Sequence, residues 1–78
     1  MIYKYFLSNV PVTLNIPADC HILDIQTQGS SICVWIDVDL QSESHDITFT
    51  PVMTGEEPPD GFYVGTVQID GFVLHYYV

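Results

Sequence analysis

The sequence has almost no positive charge. Its 78 residues include one lysine, Lys4, and no arginine, against ten aspartates and glutamates, so the formal net charge is −9. A protein that binds duplex DNA or RNA must neutralise backbone phosphates with lysine or arginine. The composition therefore excludes duplex nucleic-acid binding, and it leaves phosphoryl-transfer chemistry without a cationic clamp.

Long apolar runs and cysteine motifs are also missing. No stretch approaches the roughly 20 apolar residues that cross a bilayer, and residues 1–7 are too short and polar for a secretory signal. We therefore expect no membrane association and a reducing compartment, in which Cys20 and Cys33 are free thiols. Neither cysteine belongs to a CxxC motif and no HxxxH spacing occurs, so we expect no metal and no cofactor.

No pattern marks a catalytic residue. A GxSxG nucleophile motif is absent. His21 and His75 fall in strand-like contexts, where a lone histidine is more often a structural residue than a catalytic one. The acids around Asp37 alternate as in the first half of a calcium loop, but Ser42 stands where that loop needs glycine and Thr48 where it needs an acid. The sequence therefore predicts a protein that is not an enzyme.

Residue choice favours strands throughout the chain. Hydrophobic residues make up 47% of it, and alternating Val, Ile, Thr, Tyr and Phe recur without helical periodicity. The expected strands are 1–7, 12–16, 22–28, 32–38, 45–52, 62–69 and 72–78. We expect Leu23 and Ile25 to point inward, 32–38 to be a central strand, and Asp70-Gly71 to form a tight hairpin turn. The prediction is one all-β domain over 1–78, a small antiparallel barrel or sandwich of about seven short strands.

Several pieces of the chain, in order, match a family pattern. They are the run from Asn15 to Gln28, the run from Val34 to Asp39, Met53-Thr54-Gly55, the run from Tyr63 to Gln68, and the final Leu74 to Tyr77. Together these pieces resemble a widespread family of small phage-encoded proteins that is carried as a domain of unknown function. The chain departs from the pattern at Glu56, where the family has histidine, and at Tyr76-Tyr77.

The resemblance implies a function by binding. Some family-like members look similar to anti-CBASS sponges, which sequester cyclic oligonucleotide immune signals without cleaving them. On that basis we expect a homo-oligomeric counter-defence protein in the host cytoplasm. The residues expected to bind the ligand are Lys4, Trp35, Thr54, Gly55 and Tyr63, which combine the one cation with stacking aromatics and an irregular loop.

Two alternatives stay open from the residues themselves. An acidic inhibitor that mimics nucleic acid could block a basic host defence protein, as anti-CRISPR proteins do. The acidic face for this role would contain Asp37, Asp39, Glu43, Glu56, Glu57 and Asp60. The chain could also be a small structural or assembly protein of a virion.

Overall fold

Alternating apolar residues form seven strands and no helix. The computed structural model describes residues 1–78. The strands are β1 (Ile2–Leu7), β2 (Val12–Pro17), β3 (Cys20–Gln28), β4 (Ser31–Val38), β5 (Ser44–Met53), β6 (Tyr63–Ile69) and β7 (Phe72–Tyr77). The predicted all-β class and strand count are confirmed. None of the elements is a helix long and apolar enough to cross a membrane.

The strands form two antiparallel sheets that pack as a sandwich. The first sheet has the order β1-β4-β3, and the second has the order β2-β5-β7-β6. The sheets do not close into a barrel, so of the two predicted architectures the sandwich is the one formed. Overall dimensions of 39 × 29 × 16 Å fit two layers of strands, since packed sheets lie about 10 Å apart.

The core lies between the sheets and is small. It holds eleven buried residues: Leu7, Ile16, Ile25, Ile32, Val34, Ile36, Val38, Phe49, Val67, Leu74 and Tyr76. In β4 the even-numbered residues face this core, so Cys33 and Trp35 point to the outer side of the first sheet. The predicted central position of β4 is confirmed, since it lies between β1 and β3. Its outer side is covered only in part, because Cys33 is fully buried, Trp35 is half-buried and Asp37 is exposed.

One inward-facing residue was predicted wrongly. A β-bulge interrupts the pairing of β3 with β4 between Ile22 and Asp24. The extra residue leaves Ile22 and Ile25 on the core side, whereas Leu23 remains 45% exposed. Strict alternation cannot anticipate an inserted residue of this kind, because a bulge shifts every later side chain by one position.

The sheets meet closely along only one side, where β3 packs against β6. Gly65 on β6 makes this approach possible, because a Cβ atom there would collide with Cγ2 of Ile25. A second link between the layers is made by Tyr76, whose hydroxyl donates a hydrogen bond of 2.7 Å to the carbonyl of Ser8.

The connection between β5 and β6 runs along the outer side of the second sheet. Both strands are antiparallel to β7, which lies between them, so residues 54–62 must run back from the end of β5 to the level of Thr50, where Tyr63 begins β6. The return ends where Phe62 and Val78 exchange two backbone hydrogen bonds of 2.8 and 2.9 Å. The C-terminal segment is therefore anchored to the second sheet.

Candidate functional site: the outer face of the first sheet

The one lysine and the one tryptophan are neighbours. Lys4 on β1 lies directly opposite Trp35 on β4, and both point outward from the first sheet. The next outward residues along the two strands, Phe6 and Cys33, are also paired. We call the outward surface formed by Ile2, Lys4, Phe6, Cys33 and Trp35 the Lys4 face.

The ammonium group of Lys4 is held above an aromatic ring. Its Nζ lies 5.2 Å from the centroid of the Phe6 ring, within the range of a cation–π interaction. The same Nζ donates a hydrogen bond of 2.8 Å to Oε1 of Gln28 on β3. Because Gln28 lies across β4, the lysine side chain reaches diagonally over Cys33, which is 0% exposed.

Apolar and aromatic surface surrounds this cation. Phe6 and Ile2 are each 59% exposed, and Trp35 is half-buried. Two carboxylates lie on the same outer side of the sheet: that of Asp37, which pairs with Ile2, and that of Asp24, which pairs with Trp35 from the other side. The two oxygens of Asp24 accept hydrogen bonds from the Ile25 amide at 2.8 Å and the Gln26 side chain at 2.6 Å. The Lys4 face therefore offers one cation, two aromatic rings and amide groups in one place.

The other predicted ligand residues lie on the opposite side of the sandwich. Tyr63 pairs with Tyr77, and both point outward from the second sheet, where their rings meet edge to face at 5.6 Å. Thr54 and Gly55 begin the β5–β6 connection on that same outer side. Within one molecule, the structure thus brings Lys4 and Trp35 together and separates them from Thr54, Gly55 and Tyr63.

A chain of hydrogen bonds joins the residues on this second face. The two ring nitrogens of His75 are bonded to two hydroxyls, with Nε2 2.8 Å from Oγ1 of Thr54 and Nδ1 2.9 Å from Oγ1 of Thr66. Thr66 in turn bonds the hydroxyl of Tyr63. We call Thr54, His75, Thr66 and Tyr63 the His75 chain. It contains no carboxylate to orient the imidazole, and it ties the β5–β6 connection to β7.

The acidic residues do not form one face. Asp37, Asp39 and Glu43 surround the β4–β5 loop, at the start of β5. Glu56 follows the end of β5, about 30 Å further along a ten-residue strand, and Glu57 and Asp60 continue along the outer connection. All ten carboxylates in the chain are exposed, but of these six, Asp37, Asp39 and Glu43 lie near the start of β5, Glu56 lies near its end, and Glu57 and Asp60 lie on the connection that runs back from that end.

The acids of the β4–β5 end border a shallow cleft of about 680 Å³. There the N-terminal ammonium donates a hydrogen bond of 2.8 Å to Oδ1 of Asp37. This bond, and then the positive charge, lowers the pKa of the Asp37 carboxyl below its ordinary value. The side chains of the chain form no group of three or more that could hold a metal ion.

A second cleft of about 460 Å³ opens at the other end of the sandwich. Its floor contains Leu7, Ile32 and Leu74 from the core, and its rim carries Glu56 and Asp70. Neither cleft contains any of the five residues predicted to bind a ligand. The predicted residues therefore lie on open sheet faces, where a ligand would be covered only from one side by one molecule.

Three residues that shape these faces were not among the predicted site residues. Phe6 follows Lys4 by two positions, so the period of a strand already placed both on one side. His75 was interpreted as structural, and its central place between two hydroxyls depends on strand pairings that the sequence does not specify. Gln28 contacts Lys4 from a strand that is not its direct neighbour, and no sequence signal indicates this contact.

Comparison with known proteins places the chain in a family. No curated protein and no solved structure gave a match to it. The model of one family, described as a domain of unknown function, DUF7352, matches residues 1–78. Because this match covers the whole sequence, the protein belongs to the DUF7352 family of domains of unknown function.

Proposed function

We propose that this protein is a non-enzymatic binding protein that captures a cyclic oligonucleotide at the Lys4 face and releases it unchanged. In this proposal it is a phage counter-defence protein that acts in the host cytoplasm by removing an immune signal from solution. The observation that carries the proposal is the pairing of Lys4 with Trp35 on an exposed face, beside Phe6.

The chemistry of the face suits a nucleotide with few charges. Exposed rings stack nucleobases without regard to sequence, and such stacking contributes about 1–3 kcal/mol per base. The Lys4 ammonium is the one side-chain cation available for a phosphodiester. Gln28 beside it adds an amide that can donate to and accept from a base edge. Thr54, Gly55 and Tyr63 take no part in this site within a single molecule.

The net charge of −9 limits what can bind here. Like charges slow the approach of an anionic ligand, and the effect weakens as salt screens them. Lys4 lies on a strand that has no acidic residue, and the two acids on the outer side of this sheet are already hydrogen-bonded, Asp24 to Gln26 and Asp37 to the N-terminal ammonium. The other eight acids lie elsewhere on the molecule, so most of the repulsion comes from outside the face.

Capture and heat release test this proposal. Purified protein is mixed with a panel of cyclic di- and trinucleotides, filtered, and heated so that any bound nucleotide is released for chromatography. We expect at least one nucleotide to leave solution and return intact. Lys4→Gln and Trp35→Ala should each reduce capture about tenfold or more, which corresponds to the loss of about 1.4 kcal/mol.

The control variants separate this site from the rest of the surface. Asp24→Asn removes a nearby negative charge and should leave capture equal or improved. Tyr63→Ala, on the opposite face, should leave it unchanged. Capture that depends on Tyr63 and tolerates Lys4→Gln would refute the Lys4 face as the site, and a nucleotide that returns hydrolysed would refute capture without cleavage.

One observation favours a second candidate, an acidic inhibitor of a basic host protein. All ten carboxylates are exposed, and the only salt bridge joins Asp37 to the N-terminal ammonium. A surface of this kind attracts a basic groove. Under this alternative, replacing Glu56, Glu57 and Asp60 with their amides should abolish inhibition of the partner, whereas nucleotide capture at the Lys4 face should persist. A virion component would show neither behaviour and would purify with particles.

A further inference from the structure

The free edge of the first sheet has a defined hydrogen-bonding pattern. Met1 and Val38 exchange two backbone bonds, with Met1 N donating to Val38 O at 3.0 Å and Val38 N donating to Met1 O at 2.9 Å. In an antiparallel pair, residues alternate between bonded and non-bonded positions. The odd-numbered residues of β1 therefore bond to β4, and Ile2, Lys4 and Phe6 direct their N–H and C=O groups away from the sheet.

The other three edge strands each carry a feature that discourages pairing with another chain. β3 is interrupted by a bulge at Ile22/Asp24, and β6 by a bulge at Tyr63/Gly65. β2 ends in Pro17, which has no N–H to donate. Bulges and prolines are the devices by which natural proteins protect an edge.

β1 has no such protection. It contains no bulge, proline or acid, and its sequence Ile-Tyr-Lys-Tyr-Phe-Leu exposes most of its side chains. A lysine on an edge often acts as a barrier, but the Lys4 side chain is turned back across the sheet to Gln28. Its ammonium therefore leaves the edge open.

We propose that β1 pairs antiparallel with β1 of a second copy of this chain, joining two first sheets into one six-stranded sheet. Two molecules that each carry a charge of −9 repel at most surfaces. The acid-free β1 edge is where two copies can approach with their carboxylates kept apart. Asp37, the acid nearest to this strand, is already held by the N-terminal ammonium.

The register of this pairing follows from the backbone groups that point outward from β1 and from the positive charge of Lys4. Only even-numbered residues can exchange hydrogen bonds across this new seam, so Lys4 must face either Lys4 or another even residue. Like charges directly opposite each other are destabilising. The longest overlap that avoids them places Lys4 opposite Phe6 of the second copy and Tyr5 opposite Tyr5 on the two-fold axis.

The pairing would complete the ligand surface. Lys4 and Phe6 of both copies would alternate across the seam on one continuous outer face. Strand spacing and rise put the two Lys4 Cα atoms about 8 Å apart, and each ammonium lies towards Gln28 on its own side of the seam. Two cations would therefore flank a ligand that has two phosphodiesters. This consequence rests on the proposed function, whereas the strand pairing itself does not.

The mass in solution tests the pairing. We expect the wild-type protein to have twice the 8.8 kDa chain mass by light scattering. Phe6→Pro removes an N–H that points outward, so it should yield a monomer whose circular dichroism is that of a folded protein. Phe6→Val removes the ring but keeps the N–H, and should remain a dimer. A monomeric wild-type protein, or a dimer that survives Phe6→Pro, would overturn the inference.

Cross-linking tests the register if Phe6→Pro fails to fold. In a Cys20→Ala background, Tyr5→Cys places a thiol opposite the same thiol of the second copy. The two facing residues exchange no backbone hydrogen bonds, and their Cβ atoms lie about 4.5–5.5 Å apart. Mild oxidation should link this variant into a covalent dimer. Tyr3→Cys, which would face Leu7, should not be linked. Equal linking of both variants, or of neither, would contradict the proposed register.

Ligand capture separates the two proposals. Dimers that bind no cyclic nucleotide would support the strand pairing and refute the proposed function. Capture that persists in monomeric Phe6→Pro would support the proposed function, and would refute the inference that the pairing completes the site.

Discussion

Tyr76 is the residue whose hydroxyl most clearly links the two layers. Its side chain is 0% exposed, yet its hydroxyl finds the Ser8 carbonyl and is not left without a partner. Burial raises the pKa of Tyr76 to about 12. In the unfolded chain this tyrosine ionises near pH 10. The contribution of its neutral hydroxyl to the stability of the folded state is therefore complete below about pH 10 and is lost as the pH rises towards 12.

Replacing Tyr76 with phenylalanine should therefore have two effects. At neutral pH, Tyr76→Phe should lower the free energy of unfolding by about 1 kcal/mol, because one hydrogen bond is lost. Above about pH 10, the difference between the two proteins should shrink, because only the wild type still has this group to ionise. Urea unfolding at a series of pH values measures both effects. Tyr77→Phe is the matched control, and a difference independent of pH would contradict the account.

The contribution of Asp37 to stability should depend on pH in the opposite sense, so that it is lost in acid. Its folded pKa is lowered, so the unfolded state takes up the proton first as the pH falls. The stabilisation is complete above the ordinary carboxyl pKa of about 4 and disappears as the pH falls through the lower folded value.

Asp37→Asn should consequently destabilise the protein at neutral pH and have no effect in strong acid. Asp60→Asn, in the exposed connection, is the control for removing one charge from a strongly negative chain, and it should stabilise slightly or do nothing. Thermal unfolding at both pH values makes the comparison. An Asp37→Asn protein as stable as wild type at neutral pH would show that the N-terminal bond contributes nothing.

At the scale of strands, local pattern and long-range pairing differ in how far they can be predicted. Alternation and turn residues placed all seven strands, and the positive φ angles of Asp70 and Gly71, 50° and 79°, are those of the predicted hairpin. The strand order was not predictable, because it depends on pairings between distant segments. The bulge beside Leu23 and the close approach at Gly65 are also properties of tertiary packing.

Gly65 provides a test of the contact between β3 and β6. Gly65→Ala puts a methyl group against Cγ2 of Ile25, a stiff branched side chain in the core, and should destabilise by about 1–3 kcal/mol. Ile25→Leu moves the branch away from that point at constant volume. In the Ile25→Leu background, Gly65→Ala should therefore lower the free energy of unfolding by less, as measured by urea unfolding. An equal loss in the two backgrounds would show that this contact is not what requires glycine.

The His75 chain provides a test of how the β5–β6 connection is held. Thr54→Val keeps the shape of the side chain but removes the hydroxyl that bonds His75. Amide hydrogen exchange in residues 54–62 should then become faster, while exchange in the core strands stays unchanged. Thr13→Val, which removes the Thr13–Thr48 hydroxyl bond on the same outer face, is the control. Unchanged exchange in the connection would mean that other contacts hold it.

At the scale of the whole molecule, the separation of the acidic residues that were predicted to form one face has a simple cause. Asp39 and Glu43 precede β5 and Glu56 follows it, so a strand of ten residues separates them. That conclusion was within reach of the sequence, because a loop before a strand and a loop after it lie at opposite ends. The pairing of Lys4 with Trp35 could not be predicted from the sequence, because it depends on the register of β1 against β4.

The distribution of charge over the molecule also decides where an anionic ligand can approach. Most negative groups lie at the ends and along the outer connection, and only Asp24 and Asp37 share the outer side of the first sheet with the one cationic side chain and its aromatic rings. If β1 strands pair, two Lys4 faces merge into one surface that has one Lys4 on each side of the seam. Ligand capture would then depend on a specific face and on a specific stoichiometry.

Native mass spectrometry of the protein with a cyclic dinucleotide tests ligand capture and the pairing of β1 in one experiment. We expect a complex of two chains and one intact nucleotide, which Lys4→Gln removes without dissociating the dimer. Spectra in which no cyclic di- or trinucleotide adds to the protein in any stoichiometry would contradict it.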